Sequence, residues 1–241
     1  MSIKGRWLNG ILSFFESTTH ETVLPVAPAV FYDDFLGSAL DGSINWTAYD
    51  TGAATETLKA NVASGVCELY LTNADETQIA GLYFGDQRPF VLNQGVQFEA
   101  KVRFTVLPTE NTKATACIGL CGATNAAVDT VATSIWFRLD GDTGGLITCD
   151  SDDVSAHEKS KVTTGITLVA SEWVILRIDC TDTASCRFYV NGGQVCSATT
   201  FDMSTTPAVA LQPVIRMDKG HDVLDLGTME VDYVRVWQKR S

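Results

Sequence analysis

The sequence is short of positive charge and of long apolar runs, and each shortage excludes a class of protein. Lysine and arginine together number 17 against 29 aspartate and glutamate residues, so the formal net charge is −12. A surface with this charge repels a phosphate backbone, and we therefore expect no nucleic-acid partner. No apolar stretch approaches the roughly 18 residues that a helix needs to cross a bilayer, so we expect no membrane span.

The N-terminus and the cysteines predict a protein that stays in a reducing compartment. The apolar run after Lys4 and Arg6 is broken at Asn9-Gly10 and ends at Glu16 without a signal-peptidase site, so we expect no secretion. The seven cysteines are an odd number and include no C-x-x-C pair. We therefore expect reduced and mostly buried thiols rather than disulfides or metal ligands.

The dominant pattern is an alternation of apolar and polar residues, which is typical of half-buried β-strands. It is clearest over residues 96–106. Similar runs cover residues 65–71, 78–84, 134–139, 173–180, 186–190, 209–217 and 229–237. Turn sequences such as Asn93-Gln94-Gly95, Asp140-Gly141-Asp142 and Asn191-Gly192-Gly193 separate them. Since no helical pattern lies between start and stop signals, the chain is predicted to be all-β.

Residues 1–30 differ from the rest and are predicted to form an attachment arm. Residues 5–13 are typical of a hairpin that turns at Asn9-Gly10, and Pro25 and Pro28 favour an extended course after it. The arm is too apolar to remain in water, so it packs either on its own domain or on a partner. The residues predicted to dock on a partner are Arg6, Trp7, Leu8, Ile11, Leu12, Phe14 and Phe15.

Residues 31–241 contain no linker and no internal repeat, which predicts one domain, and three of its motifs resemble the concanavalin A-like lectin and glucanase family. The motifs are the hairpin 173–193 (W-x-x-L-R-I then F-Y-V-N-G), the close Val231-Asp232-Tyr233-Val234-Arg235-Val236-Trp237, and the opening Phe31-Tyr32-Asp33-Asp34-Phe35 with Leu40-Asp41 and Trp46. The close is similar to the last strand of laminarinase-type glycoside hydrolases. The resemblance implies a jelly-roll sandwich of two antiparallel sheets whose first and last strands pair.

The resemblance also implies an E-x-D-x-E pattern that sets two catalytic carboxylates on one strand, and this chain lacks it. The strand most like a catalytic one, residues 134–140, instead places Trp136, Arg138 and Asp140 on one face. No serine, metalloprotease or phosphate-loop motif replaces the missing pattern. We therefore predict that the protein is not an enzyme. A glycosidase whose carboxylate pair comes from different strands, about 5–10 Å apart, is kept as a third hypothesis.

Carbohydrate binding is the alternative function within this fold. Sugar sites there combine exposed aromatic platforms with amide and carboxylate groups, and the predicted glycan-binding residues are Trp136, Arg138 and Asp140. Aromatic side chains in a sandwich belong more often to the core. Two interpretations of Trp136 therefore remain open, an exposed stacking platform for a sugar and a residue of the core.

The sequence predicts no cofactor, and a bound calcium ion is the alternative. The residues Asp140, Asp142, Asp150, Asp152 and Asp153 lie around three glycines, and calcium takes about six to eight oxygens from such loops. The full calcium-loop pattern is missing, so a hairpin tip held in water is the favoured interpretation. Relatives of the fold often hold a structural calcium between the chain start and the last strand, which Asp33, Asp34 and Asp232 match loosely.

The start of the chain also resembles virion proteins of tailed bacteriophages, through residues 5–10, the extended segment 21–28 and residues 31–35. This resemblance implies a non-enzymatic capsid decoration or head- or tail-attached protein, made in the host cytoplasm. It would dock through its arm on capsid or tail proteins of the same virion, as a homo-oligomer or in many copies on a lattice. A glycan-binding adhesin is the alternative.

Overall fold

The computed structural model describes residues 3–8, 11–16, 29–37, 40, 46–108, 114–154, 157–205, 208–221 and 227–239. Within these ranges the regular structure consists of β-strands and three single-turn 3-10 helices, which confirms the all-β prediction. In the same part of the chain, no helix is long and apolar enough to cross a membrane.

Two antiparallel sheets of eight strands form the sandwich. The front sheet runs from edge to edge through β13 (Lys159–Thr167), β12 (Leu146–Asp152), β11 (Ser134–Asp140), β10 (Ala114–Cys121), β17 (Ala210–Lys219), β7 (Gln78–Tyr83) and β4 (Thr47–Ala48), with β8 (Phe90–Val91) on β17. The back sheet runs through β16 (Gly193–Val195), β15 (Arg187–Val190), β14 (Val174–Asp179), β9 (Gln97–Val106), β18 (Gly227–Gln238), β6 (Cys67–Leu71) and β5 (Thr55–Leu58), with β3 (Ala29–Asp33) on β18. The predicted pairing of the strand that opens the domain with the last strand is confirmed by β3 and β18.

The N-terminal hairpin forms a sheet of its own. Strands β1 (Ile3–Leu8) and β2 (Ile11–Glu16) pair antiparallel with Leu8 opposite Ile11, as the sequence predicts. The seven residues predicted to dock all belong to these two strands, whereas the turn residues and residues 17–28 lie outside the described ranges. Since β3 begins at Ala29, the last two residues of the predicted arm belong to the sandwich.

Alternate residues of the central strands fill the space between the two sheets. Phe98, Val102 and Phe104 of β9 face Phe137 and other core residues of the front sheet, and all are at most 1% exposed. Each such side chain contributes about 1.5–3 kcal/mol by leaving water. The cysteines are free thiols, and all but the partly exposed Cys196 are buried.

Strands β10 and β11 are buried on both faces, because the connection between them folds back over the front sheet. We call residues 122–133 the covering loop. The Gly122 N–H donates to the Thr133 carbonyl at 2.9 Å and closes the base of this loop. Val128 and Val131 then pack on Trp136, on the outer face of β11. The outer face therefore carries a small second apolar cluster.

Two arginines of the front sheet hold the covering loop in place. Arg216 of β17 donates to the carbonyl oxygens of Asn125 at 2.6 Å and of Ala126 at 3.0 Å. Arg138 of β11 forms an ion pair with Asp129 of the loop. Since both arginines are almost fully buried, the loop is fixed by groups that the fold itself positions.

Strand β13 forms an edge of the front sheet and pairs irregularly with β12. Their ladder contains two register shifts, between Leu146 and Thr148 and between Cys149 and Ser151 of β12. The residues of β13 that lie opposite Asp150 are therefore set by this irregular pairing and not by the regular register of a continuous ladder.

Substitution of Gly119 is expected to separate β10 from β11. A Cβ atom at this position would lie 2.4 Å from the Ile135 carbonyl oxygen and 2.7 Å from the Trp136 Cα, and both are backbone atoms. We expect Gly119→Ala to lower the free energy of unfolding by about 1–3 kcal/mol, measured by urea denaturation. Gly193→Ala is the matched control, since its Cβ would meet Val190 at an ordinary 3.5 Å. Equal losses in both variants would contradict the prediction.

Candidate functional site

A polar recess lies beside the covering loop on the outer face of the front sheet. Its volume is about 230 Å³. Strands β11 and β12 form its floor, the loop closes one side, and residues 158–161 at the start of β13 form the other side. The recess is thus built from segments that are distant in sequence.

The three predicted glycan-binding residues share the outer face of β11, but they do not have equal access to the recess. Trp136 and Arg138 line it, whereas Asp140 lies behind Arg138 and does not. Trp136 is 3% exposed beneath Val128 and Val131. It therefore belongs to the second apolar cluster and forms no open stacking platform, so the core interpretation of this side chain is the correct one.

Arg138 is the centre of a buried ion-pair network. Its Nε donates to Asp140 Oδ1 at 2.8 Å, and its Nη1 pairs with Asp129. The second oxygen of Asp140 lies 2.7 Å from the Lys161 Nζ. Burial alone would raise the pKa of Asp140, but the hydrogen bonds from Lys161 and Arg138 outweigh it and lower this pKa below its ordinary value. Asp140 is therefore held as a carboxylate.

Asp150 of β12 shares Arg138 with Asp140 but titrates in the opposite direction. Burial raises its pKa to about 6, opposed by the Lys161 backbone N–H and by Arg138 and reinforced by Asp140. Its Oδ1 accepts that N–H at 2.6 Å, whereas its Oδ2 lies 3.7 Å from Arg138 Nη1. The indole N–H of Trp136 is close enough to oppose the rise as well, yet it falls short of hydrogen-bond geometry.

One buried polar atom at the recess, Trp136 Nε1, lacks a hydrogen-bond partner among the described residues. Trp136 lines the recess with 3% of its surface exposed. Buried polar groups in native proteins are nearly always paired, and an unpaired one costs roughly 1–3 kcal/mol. The indole N–H of Trp136 therefore keeps a hydrogen-bonding capacity that the described residues do not use.

Most of the acidic segment 140–153 is not a hairpin tip held in water, contrary to the prediction. The turn occupies only residues 141–145, and Asp150 lies within β12, between two partner strands. Asp140, Asp150 and Asp153 are all buried. In the part of the chain that the structure describes, no group of three acidic, histidine or cysteine residues is placed to hold a metal ion.

Asp33, the first aspartate of the second suggested calcium position, accepts hydrogen bonds from within the protein. The two oxygens of Asp33 accept hydrogen bonds from the Phe35 N–H and from Trp46 Nε1, both at 2.7 Å. Its carboxylate thereby fixes the first turn of the domain to a buried tryptophan.

Sequence reasoning missed Asp150 and Lys161 as site residues. In the sequence Asp150 belongs to an acidic cluster, and Thr148, Asp150 and Asp152 alternate there with apolar or small residues. That alternation is the signal that could have placed them on the outer face of a strand. Lys161 gave no local signal, because its role depends on the register of β13 against β12.

Comparison with solved structures shows the concanavalin A-like jelly roll of glycoside hydrolase family 16. A family 16 endo-glucanase from Bacteroides ovatus superposes with a TM-score of 0.62 at 14% identity, over 86% of this chain and 99% of that one. The Emp46p carbohydrate recognition domain, in a potassium-bound form, gives 0.56 at 11% identity, over 87% and 96%. At these identities the similarity establishes the fold alone. The comparison with curated proteins found no match.

A protein of unknown function, SO2946 from Shewanella oneidensis MR-1, covers slightly more of the chain. Its TM-score is 0.56 at 14% identity, over 92% of this chain and 91% of that one. The family model described as SO2946-like, C-terminal domain, matches residues 65–236. That span includes most strands of both sheets and every residue of the recess, and the chain therefore belongs to the SO2946-like C-terminal domain family.

Proposed function

We propose that the recess binds carbohydrate and that the protein acts as a lectin-like binding protein. The observation that carries this proposal is the unpartnered buried indole Nε1 of Trp136, close to the carboxyl group of Asp150 in the recess. A sugar hydroxyl both accepts and donates hydrogen bonds, so a single one can accept from the indole and donate to Asp150. The shared fold of a carbohydrate recognition domain supports the same class of ligand.

The size of the recess favours one sugar ring over a polysaccharide that runs through a cleft. Its volume of about 230 Å³ is below the roughly 300–1,000 Å³ of sites for drug-sized molecules. The covering loop occupies the outer face of β10 beside it. We therefore propose that the recess takes the end of a glycan.

We propose binding without hydrolysis, because Asp150 is the one buried carboxyl group among the described residues that line the recess, and Asp129, Asp152 and Glu158 are more exposed. A glycosidase needs two carboxyl groups that both reach the scissile bond. Asp150 has the raised pKa of a general acid. Its neighbour Asp140, however, is enclosed by Arg138, Lys161 and Thr115 and does not line the recess.

The test of this function is a glycan array with Trp136→Phe. This change keeps an aromatic ring in the apolar cluster but removes the indole N–H, so we expect about tenfold weaker binding or more. Trp173→Phe is the matched control, since that indole lies under Lys101 and Arg103 beside the back sheet. The proposal fails if the wild-type protein binds no glycan, or if both variants lose the same affinity.

A second proposed function, attachment to a larger assembly, is favoured by the separate hairpin of β1 and β2. This hairpin does not extend either sheet of the sandwich, and an element of this kind can dock on a partner by apolar burial and strand addition. We propose capsid or tail proteins of a virion as the partner. The similar proteins named above give no support to a virion, so this proposal rests on the hairpin and on the resemblance of residues 1–35.

Removal of residues 1–28 tests the attachment function. Because β3 begins at Ala29, we expect the truncated protein to keep its unfolding transition while losing its binding to purified phage particles, measured by light scattering. Loss of the folded state on truncation would instead show that the arm belongs to the sandwich.

A further inference from the structure

We infer that the recess selects an amino sugar, whose protonated amine pairs with Asp150 while a neighbouring hydroxyl group accepts from Trp136. This inference rests on the proposed carbohydrate function and names the class of sugar. Such a ligand carries a positively charged amine on one carbon and a hydroxyl group on the neighbouring carbon.

Negative charge prevails around the recess. The carboxylates in and directly behind it are Asp129, Asp140, Asp150, Asp152 and Glu158, and the cations are Arg138, Lys159 and Lys161. With a formal net charge of −12, the rest of the protein adds to the same field. A cationic ligand is attracted to such a site, and an anionic one is repelled.

Two of the three cations that line the recess, Arg138 and Lys161, are already paired. Arg138 pairs with Asp140 and Asp129, and Lys161 pairs with the second oxygen of Asp140. Asp150 receives one backbone N–H, on Oδ1, and its Oδ2 lies 3.7 Å from the arginine, beyond hydrogen-bond distance. Burial raises the pKa of Asp150, and the Lys161 N–H and Arg138 oppose that rise without cancelling it. An ammonium group of a ligand would supply the missing partner.

An ammonium group alone would leave the indole of Trp136 unpaired. The indole Nε1 is a donor only, so it requires an oxygen with a free lone pair. A 2-amino sugar carries an ammonium and a hydroxyl group on neighbouring carbons and meets both requirements. An N-acetylated sugar lacks the charge, and a uronic acid has the opposite charge.

Three β-1,4-linked disaccharides test the inference, because they differ mainly in the group at carbon 2. They are cellobiose with a hydroxyl group, fully deacetylated chitobiose with an ammonium group, and N,N′-diacetylchitobiose. Isothermal titration calorimetry of the full chain at pH 7 is expected to give about tenfold or tighter affinity for the ammonium form than for cellobiose. Added salt is expected to reduce this ratio.

Two variants separate the role of Asp150 from general charge. Asp150→Asn is expected to remove the preference for the ammonium form, whereas Asp142→Asn, on the same hairpin but exposed and outside the recess, keeps it. Equal affinity of the wild type for cellobiose and deacetylated chitobiose overturns the amino-sugar inference and leaves the carbohydrate function standing. Failure to bind all three disaccharides and every glycan of the array overturns both.

Discussion

Replacement of Arg138 by methionine is expected to lower the free energy of unfolding by about 3–5 kcal/mol at pH 7. The guanidinium is 4% exposed and its partner Asp140 is 3% exposed, so the variant leaves a carboxylate in the interior with one charged partner fewer. Methionine preserves most of the side-chain volume, and the loss therefore reports charge rather than a cavity. Urea denaturation followed by tryptophan fluorescence measures it.

The pH dependence of this loss follows from the lowered pKa of Asp140. A carboxyl group whose folded pKa lies below its unfolded value stabilises the protein above the unfolded value of about 4. That contribution disappears as the pH falls through the folded pKa. The Arg138→Met penalty is therefore expected to be largest at neutral pH and to shrink in acid.

Asp129 supplies the control, because it pairs with the same arginine from the surface. This carboxylate is 70% exposed, and exposed ion pairs contribute about 1 kcal/mol or less. Asp129→Asn should thus cost less than about 1 kcal/mol. A similar cost for Asp129→Asn and Arg138→Met would show that the buried pair with Asp140 contributes nothing of its own.

Between pH 4 and pH 7, Asp150 is expected to remove roughly 3 kcal/mol from the stability of the protein. Its folded pKa of about 6 lies some two units above the ordinary value of about 4, and each unit corresponds to about 1.4 kcal/mol. In this window the folded state retains a proton that the unfolded state has released. Raising the pH therefore favours unfolding, which is the opposite of the effect of Asp140.

The measurement is the free energy of unfolding against pH for the wild type and for Asp150→Asn. The difference between the two curves isolates this group, since Glu56, whose pKa is raised to about 7 by burial, is present in both. Asp142→Asn, which removes an exposed carboxylate, should leave the slope unchanged. Parallel curves for wild type and Asp150→Asn would show that Asp150 titrates normally. The expected combination, a flatter curve with a lost preference for the ammonium sugar, is the usual trade of stability for function.

The strands that alternate in sequence could be predicted, and β10, which shows no alternation, could not. The run predicted at 96–106 is β9, observed as Gln97–Val106, because one face meets the core and the other meets polar surroundings. β10 (Ala114–Cys121) is buried at every position, so it shows no alternation. Its second face is covered by a loop whose path depends on Arg216 and Arg138, and no local pattern announces such a contact.

The residues of the candidate site also divide into those that the sequence could predict and those that it could not. Trp136, Arg138 and Asp140 could be placed on one face from the two-residue period of a single strand. Asp150 and Lys161 join them only through the pairing of β11, β12 and β13, which includes two register shifts. Whether Trp136 is a platform or a core residue also depended on the covering loop.

The irregular edge strand β13 has a consequence for behaviour at high concentration. An open sheet edge with regular unpaired backbone groups is a template on which other chains add, and this leads to aggregation. β13 instead carries lysines at positions 159 and 161, and two breaks in register disturb its ladder. Charge and irregular spacing both disfavour an incoming strand. The protein can therefore expose the rim of its recess at a sheet edge and still remain dispersed.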